Sequence, residues 1–167
     1  MAKVLVTYFS QTGNTEKVAQ AIYEEIEESK TIKPVEELDE EEGEKHKLVF
    51  IGFPVHGHSV PYIMEKFLRS LPAGKKIALF STHGSVSGSP FSKEALEHAA
   101  VLASKAKVLG SFSCRGKVSL QSMDKFEKSP EHRIWTEMAP SAGTHPDKND
   151  LEEARTFARE IINLASY

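Results

Sequence analysis

The chain has 167 residues, 40% of them hydrophobic and 27% charged, which fits one domain with its own core and excludes a disordered protein. A formal charge of −3 supplies no field for nucleic acid, and no run approaches the roughly 20 apolar residues that span a bilayer. The single cysteine, Cys114, excludes an internal disulfide and a multi-cysteine metal site. Met1-Ala2-Lys3 leads straight into Val4-Leu5-Val6 without the layout of a secretion signal, so a cytoplasmic protein is expected.

In chain order, Lys3–Phe9 is short and apolar and predicts a buried strand. Val18, Ile22 and Ile26 stand four apart and give a helix one apolar stripe. Thr31–Leu38 is a weaker strand, interrupted by Pro34, and reads as a sheet edge. The acidic run from Glu36 to Glu44 reads as a solvated turn, with a docking patch for a basic partner as the alternative. Lys47–Phe53 and Lys76–Ser81 are further strands, separated by a helix carrying Val60, Ile63, Met64, Phe67, Leu68 and Leu71.

The next helix presents Phe91, Ala95, Ala99, Leu102 and Ala106, with Ser89 as its N-cap and Pro90 in its first position. Lys107–Ser113 reads as a further buried strand. A segment of weak periodicity, 117–146, follows and contains the only tryptophan, Trp135. The last helix is predicted to open on the capping-box spacing Asp150/Glu153, with Ala154, Phe157, Ala158, Ile161 and Ala165 on its inner face. Strand and helix alternate, so the expectation is one α/β domain over 1–167. Near-continuous apolar strands imply a parallel sheet covered by helices on both faces.

The chemistry lies in three loops after strands. Ser10-Gln11-Thr12-Gly13-Asn14-Thr15 offers hydroxyls, an amide and a helix N-terminus to an anion, with no lysine or arginine among them. Neither the P-loop pattern nor GxGxxG is present. Pro54-Val55-His56-Gly57-His58-Ser59 and Thr82-His83-Gly84-Ser85-Val86-Ser87-Gly88 follow two later strands and fall on the same sheet edge. His56, His58 and His83 have no carboxylate beside them in sequence, so loop contacts are expected of them, not a metal site. Cys114 reads as packing, with a thiol activated by Arg115 and Lys117 as the alternative.

The first loop, the element order and the two later loops together resemble the flavodoxin family. The resemblance covers the whole chain and implies a five-stranded parallel sheet in the order 2-1-3-4-5 with FMN as cofactor. It implies that Ser10, Thr12, Asn14 and Thr15 bind the phosphate, assisted by the backbone of Gln11 and Gly13. It further implies that the loops contributing Pro54, Val55, His56, Gly57 and His58, and Thr82, His83, Gly84, Ser85 and Gly88, flank the isoalloxazine ring. The chain departs from the family in lacking a tryptophan or tyrosine in either flanking loop, and Trp135 is the candidate to cover the ring instead. Positive charge on His56, His58 and His83 would raise the flavin potential. A rotatable Gly57 peptide could accept the proton gained at the flavin N5.

The expected function is electron transfer between a redox protein donor and acceptor, with no catalytic side chain of the protein's own. The competing enzyme reading is an FMN-dependent reductase of a quinone-like small molecule using NAD(P)H or a reduced protein. A third reading is a flavin-free binding or scaffold domain. No membrane or nucleic-acid partner is expected, and the chain would be a monomer or homodimer.

Overall fold

Val4, Leu5 and Val6 are fully buried, as are Leu48, Val49, Phe50 and Ile51. Strands without an exposed face need layers above and below them. The computed structural model, which describes residues 3–55, 59–85, 89–118 and 133–166, supplies those layers. Strands β1 (Val4–Tyr8), β2 (Lys30–Pro34), β3 (Leu48–Pro54), β4 (Lys76–His83) and β5 (Lys107–Arg115) form one parallel sheet in the order β2-β1-β3-β4-β5. This is the order implied by the family resemblance.

Among the described residues the helices are α1 (Asn14–Glu25), the single turn α2 (Glu42–Lys45), α3 (Tyr62–Ser70), α4 (Pro90–Leu102), α5 (Arg133–Met138) and α6 (Lys148–Ala165). On one face of the sheet, Val18, Ala19 and Ile22 of α1 and Ala154, Phe157, Ala158 and Ile161 of α6 cover Val4, Val6, Phe50 and Phe80. On the other, Met64 and Leu68 of α3 and Ala95 and Ala99 of α4 cover Leu5, Val49, Ile51, Ile77 and Leu79. The small inward residues of α4 and α6 let each helix backbone approach the sheet closely.

Five sequence expectations are corrected. β5 is not a buried strand: it forms a sheet edge, with Val108 exposed and Leu109 and Phe112 half-buried. The second strand stops at Pro34 and turns into a 3-10 segment at Val35–Glu37, because proline removes the donor that further pairing would use. β4 and β5 each run two residues longer than predicted, with Thr82 opposite Cys114 and His83 opposite Arg115. Backbone pairing continues there although the apolar pattern has ended. The acidic run is not wholly solvated: Glu42 is buried and meets Lys33 Nζ at 2.9 Å.

The last helix is capped at Asp147, not Asp150. Asp150 N–H donates to Asp147 Oδ1 at 2.9 Å, and Asp147 N–H donates to Asp150 Oδ2 at 2.8 Å. Acidic residues at 147, 150 and 153 offer the same spacing twice, and the extended backbone of Asp147 decides which is used. Within the segment expected to be irregular, α5 and a 3-10 segment at Ala139–Ala142 are formed. Residues 119–132 lie outside the described residues, and so does the side chain of Trp135.

Candidate functional site

The loop between β1 and α1 turns on Gly13, whose φ of 91° lies in the left-handed region. A Cβ there would meet nothing within 4 Å, so the turn demands glycine through backbone conformation and not through crowding. Ser10 Oγ accepts from the N–H of Gly13 at 3.1 Å and, more weakly, from that of Glu16 at 3.4 Å. Gly13 brings no capping side chain. Among the described residues no acceptor meets the N–H groups of Asn14 and Thr15. Those donors and the positive end of the α1 dipole face the same small volume.

Other elements hold this loop from below. Phe9 N–H donates to the Gly52 carbonyl at 3.0 Å and ties it to β3. The Thr15 and Thr82 hydroxyls lie 2.8 Å apart, both buried, and join it to the end of β4. The Asn14 amide donates to the Lys117 carbonyl at 2.8 Å. Gly116 makes room for this contact, since a Cβ on it would lie 2.8 Å from Asn14 Nδ2. The loop therefore rests against β1, β3, β4 and the exit from β5.

The two later loops are joined by Val55 N–H donating to the Thr82 carbonyl at 3.0 Å. Pro54 and Val55 are half-buried at the end of β3, and Ser59 Oγ lies 2.7 Å from His98 Nδ1 of α4. His56, Gly57, His58 and Gly88 lie outside the described residues. Thr82, His83, Gly84 and Ser85 are all buried. His83 Nδ1 contacts the Ser85 carbonyl at 3.1 Å and the Ser85 hydroxyl at 3.0 Å, while Nε2 has no partner among the described residues.

Burial drives the His83 pKa down to about 4, and the Arg115 charge acts in the same direction. This side chain is neutral near pH 7, which corrects the expectation that it brings positive charge to the site. Burial, reinforced by Asp150 and Glu153, pushes the Cys114 thiol well above its ordinary range. Cys114 is packing material, and the activated-thiol alternative falls. Tyr8 is likewise shifted upward, first by burial and then by Glu16, whose carboxylate accepts from its hydroxyl at 3.3 Å.

Among the described residues, the group of metal-ligand type is His145, Asp147 and Asp150. Its atoms serve one another: His145 Nδ1 lies 2.5 Å from Asp150 Oδ2, and the two aspartates form the α6 capping box. Sequence reading missed the Thr15–Thr82 pair, the Asn14–Lys117 contact and the contacts of Arg115. These link residues far apart in the chain, and only the basic residue at the end of β5 hinted at one of them.

Residues 5–159 match the family model described as Flavodoxin domain. The chain is 33% identical over 174 residues to the flavodoxin-like domain-containing protein BilS of Clostridioides difficile, with 98% of each chain covered. Oxidised Flavodoxin 2 of Bacillus cereus superposes with a TM-score of 0.67 at 21% identity, over 98% of this chain and 99% of that one. A flavoprotein of Lactobacillus acidophilus in complex with FMN superposes with a TM-score of 0.55 at 20% identity, over 77% of this chain and 100% of that one. No helix among the described residues is long and apolar enough to cross a membrane. On the family match over nearly its whole length, the chain belongs to the flavodoxin domain family.

Proposed function

We propose that the protein binds FMN and transfers electrons between redox partners. The observation that carries the proposal is the unpaired donor set at the α1 N-terminus, beside the point where the sheet order reverses between β1 and β3. Open α/β sheets bind ligands in the crevice outside the strand carboxyl ends at such a point. A phosphate suits a volume faced by unpaired N–H groups and hydroxyls. The Lactobacillus acidophilus flavoprotein, solved with FMN, is the precedent carried over here.

In this reading Ser10, Thr12 and Thr15 supply hydroxyls, and Gln11, Asn14 and Thr15 supply backbone donors, while the Gly13 N–H is held by Ser10 Oγ and shapes the turn. Either hydroxyl of the Thr15–Thr82 pair can donate; with Thr82 as donor, the Thr15 proton is free for the anion. One proton of the Asn14 side-chain amide goes to the Lys117 carbonyl and ties the β5 exit to the loop, which leaves the second proton for the phosphate. The ends of β3 and β4, with Pro54, Val55, Gly84 and Ser85, flank the ring. Bound FMN supplies the one- and two-electron chemistry, and the protein holds, orients and shields it.

The test is an anaerobic reductive titration of protein reconstituted with FMN and followed by visible absorbance. Two resolved one-electron steps, with no steady NAD(P)H oxidation, are expected. Steady turnover of a quinone with NAD(P)H would replace the carrier reading with the reductase reading. Failure to take up FMN would overturn both.

A further inference from the structure

Arg115 ends β5 opposite His83, and its guanidinium gathers groups from two separate segments. Nε donates to the Ser85 carbonyl at 2.8 Å. Nη2 donates to the Met138 carbonyl at 3.1 Å and the Ser141 hydroxyl at 2.6 Å, with the Gly84 carbonyl at 3.4 Å. Ser141 Oγ in turn donates to the Met138 carbonyl at 2.8 Å. Among the described residues the acceptors are carbonyls and a hydroxyl, not carboxylates. The residue is therefore used as a planar fork that organises backbone, a task for which lysine is a poor substitute.

We infer that Arg115 is a positioning residue of the flavin site, clamping the ring-flanking end of β4 to the segment 138–142 so that the two form one wall. This rests on the flavin reading above. The Gly84 and Ser85 carbonyls are turned toward the guanidinium, and a trans peptide points its N–H away from its C=O. The clamp thus sets the direction of the Ser85 N–H. It also ties down α5 and the 3-10 segment after it, together with the burial of Ala139 and Ala142 and the Lys117 N–H that donates to the His145 carbonyl at 2.8 Å. His83 Nδ1 lies 3.1 Å from the same Ser85 carbonyl.

The test uses R115K and R115Q in the full chain, with two readouts. The first needs no flavin: hydrogen–deuterium exchange over 138–142 is expected to accelerate about tenfold or more in both variants, while β1 and α6 exchange as in the wild type. The second is the affinity for FMN and for riboflavin, expected to fall about fivefold or more for both ligands in both variants, because the wall faces the ring and not the phosphate. The bound-flavin absorbance envelope should shift with it. Wild-type exchange and affinity in R115Q would overturn the inference. So would full rescue by R115K, which would make charge alone the cause. If the wild-type protein takes up no flavin while the exchange effect holds, the flavin reading fails and the clamp stands as a structural device only.

Discussion

The two faces of the sheet are built differently. On the face covered by α1 and α6, Phe157 stacks on Phe112 with ring centres 5.6 Å apart and meets Phe50 edge-on at 6.1 Å, with Cys114 packed in the same core. On the face covered by α3 and α4, the apolar core of Leu5, Ile51 and Leu79 gives way to polar groups toward the strand carboxyl ends. Thr7 follows Leu5 by two positions, and Ser81 follows Leu79 by two, so both share that face. Their hydroxyls, and Nε2 of His83, are buried without partners among the described residues. One face is assembled for stability; the other gives up some stability near the candidate site, where local rules are most often broken.

The sharpest way to break this contrast is Phe157→Ala. It removes a ring that contacts two others in the apolar core and should cost about 3–5 kcal/mol. Chemical denaturation would measure it, and a loss below about 1 kcal/mol would show that the α1/α6 face is not the main anchor.

Next in size is an acid effect confined to the polar face. His83 has a folded pKa of about 4 against 6.5 for the free side chain. The unfolded chain therefore binds the proton first, and stability falls as pH drops from about 6.5 to about 4. The full loss below that window is about 3 kcal/mol. Arg115 and Asp150 act on this group with opposite signs. Asp147, whose carboxyl is held below its ordinary value chiefly by the Asp150 N–H, loses its contribution only at still lower pH. His83→Asn should flatten the profile between pH 6.5 and 4; an unchanged slope would assign it to other groups.

A smaller effect tests the join between the β1–α1 loop and β4. Thr15→Val or Thr82→Val alone strands the other buried hydroxyl and should cost about 1–2 kcal/mol, whereas the double variant should lie close to the wild type. Simple additivity in that cycle would show that the 2.8 Å contact contributes nothing. FMN affinity should follow Thr15 more than Thr82, since the Thr15 hydroxyl is the one placed at the helix N-terminus.

What the sequence reveals follows the same division. The apolar runs of β1 and β3, the stripes of α1 and α3, and the Ser89–Pro90 start of α4 are local patterns and are legible without a structure. The six-residue loop from Ser10 to Thr15 is legible as a candidate anion site because its donors are consecutive. The ends of β4 and β5 are not, because His83 and Arg115 extend the strands by backbone pairing that no hydropathy pattern records. Thr15 and Thr82 stand 67 residues apart, and Asn14 and Lys117 stand 103 apart. Such contacts exist only once the sheet brings neighbouring strand ends together. Asn14 shows the cost: sequence assigns its side chain to the phosphate and gives no sign that one proton of the amide goes to Lys117.

The smallest expected effect separates a functional polar face from an accidental one. Ser81 lies within β4, fully buried, and its hydroxyl has no partner among the described residues. A buried hydroxyl without a partner forgoes its hydration for nothing, so Ser81→Ala should be neutral or stabilise by up to about 1 kcal/mol. The alanine leaves only a small void, which limits the gain. If Ser81→Ala instead destabilises the protein by more than about 1 kcal/mol, the hydroxyl has a partner such as a buried water, and the polar face is better satisfied than its geometry indicates. A gain in stability accompanied by weaker FMN binding would be the clearest sign that polarity at the ends of these strands serves the ligand and not the fold.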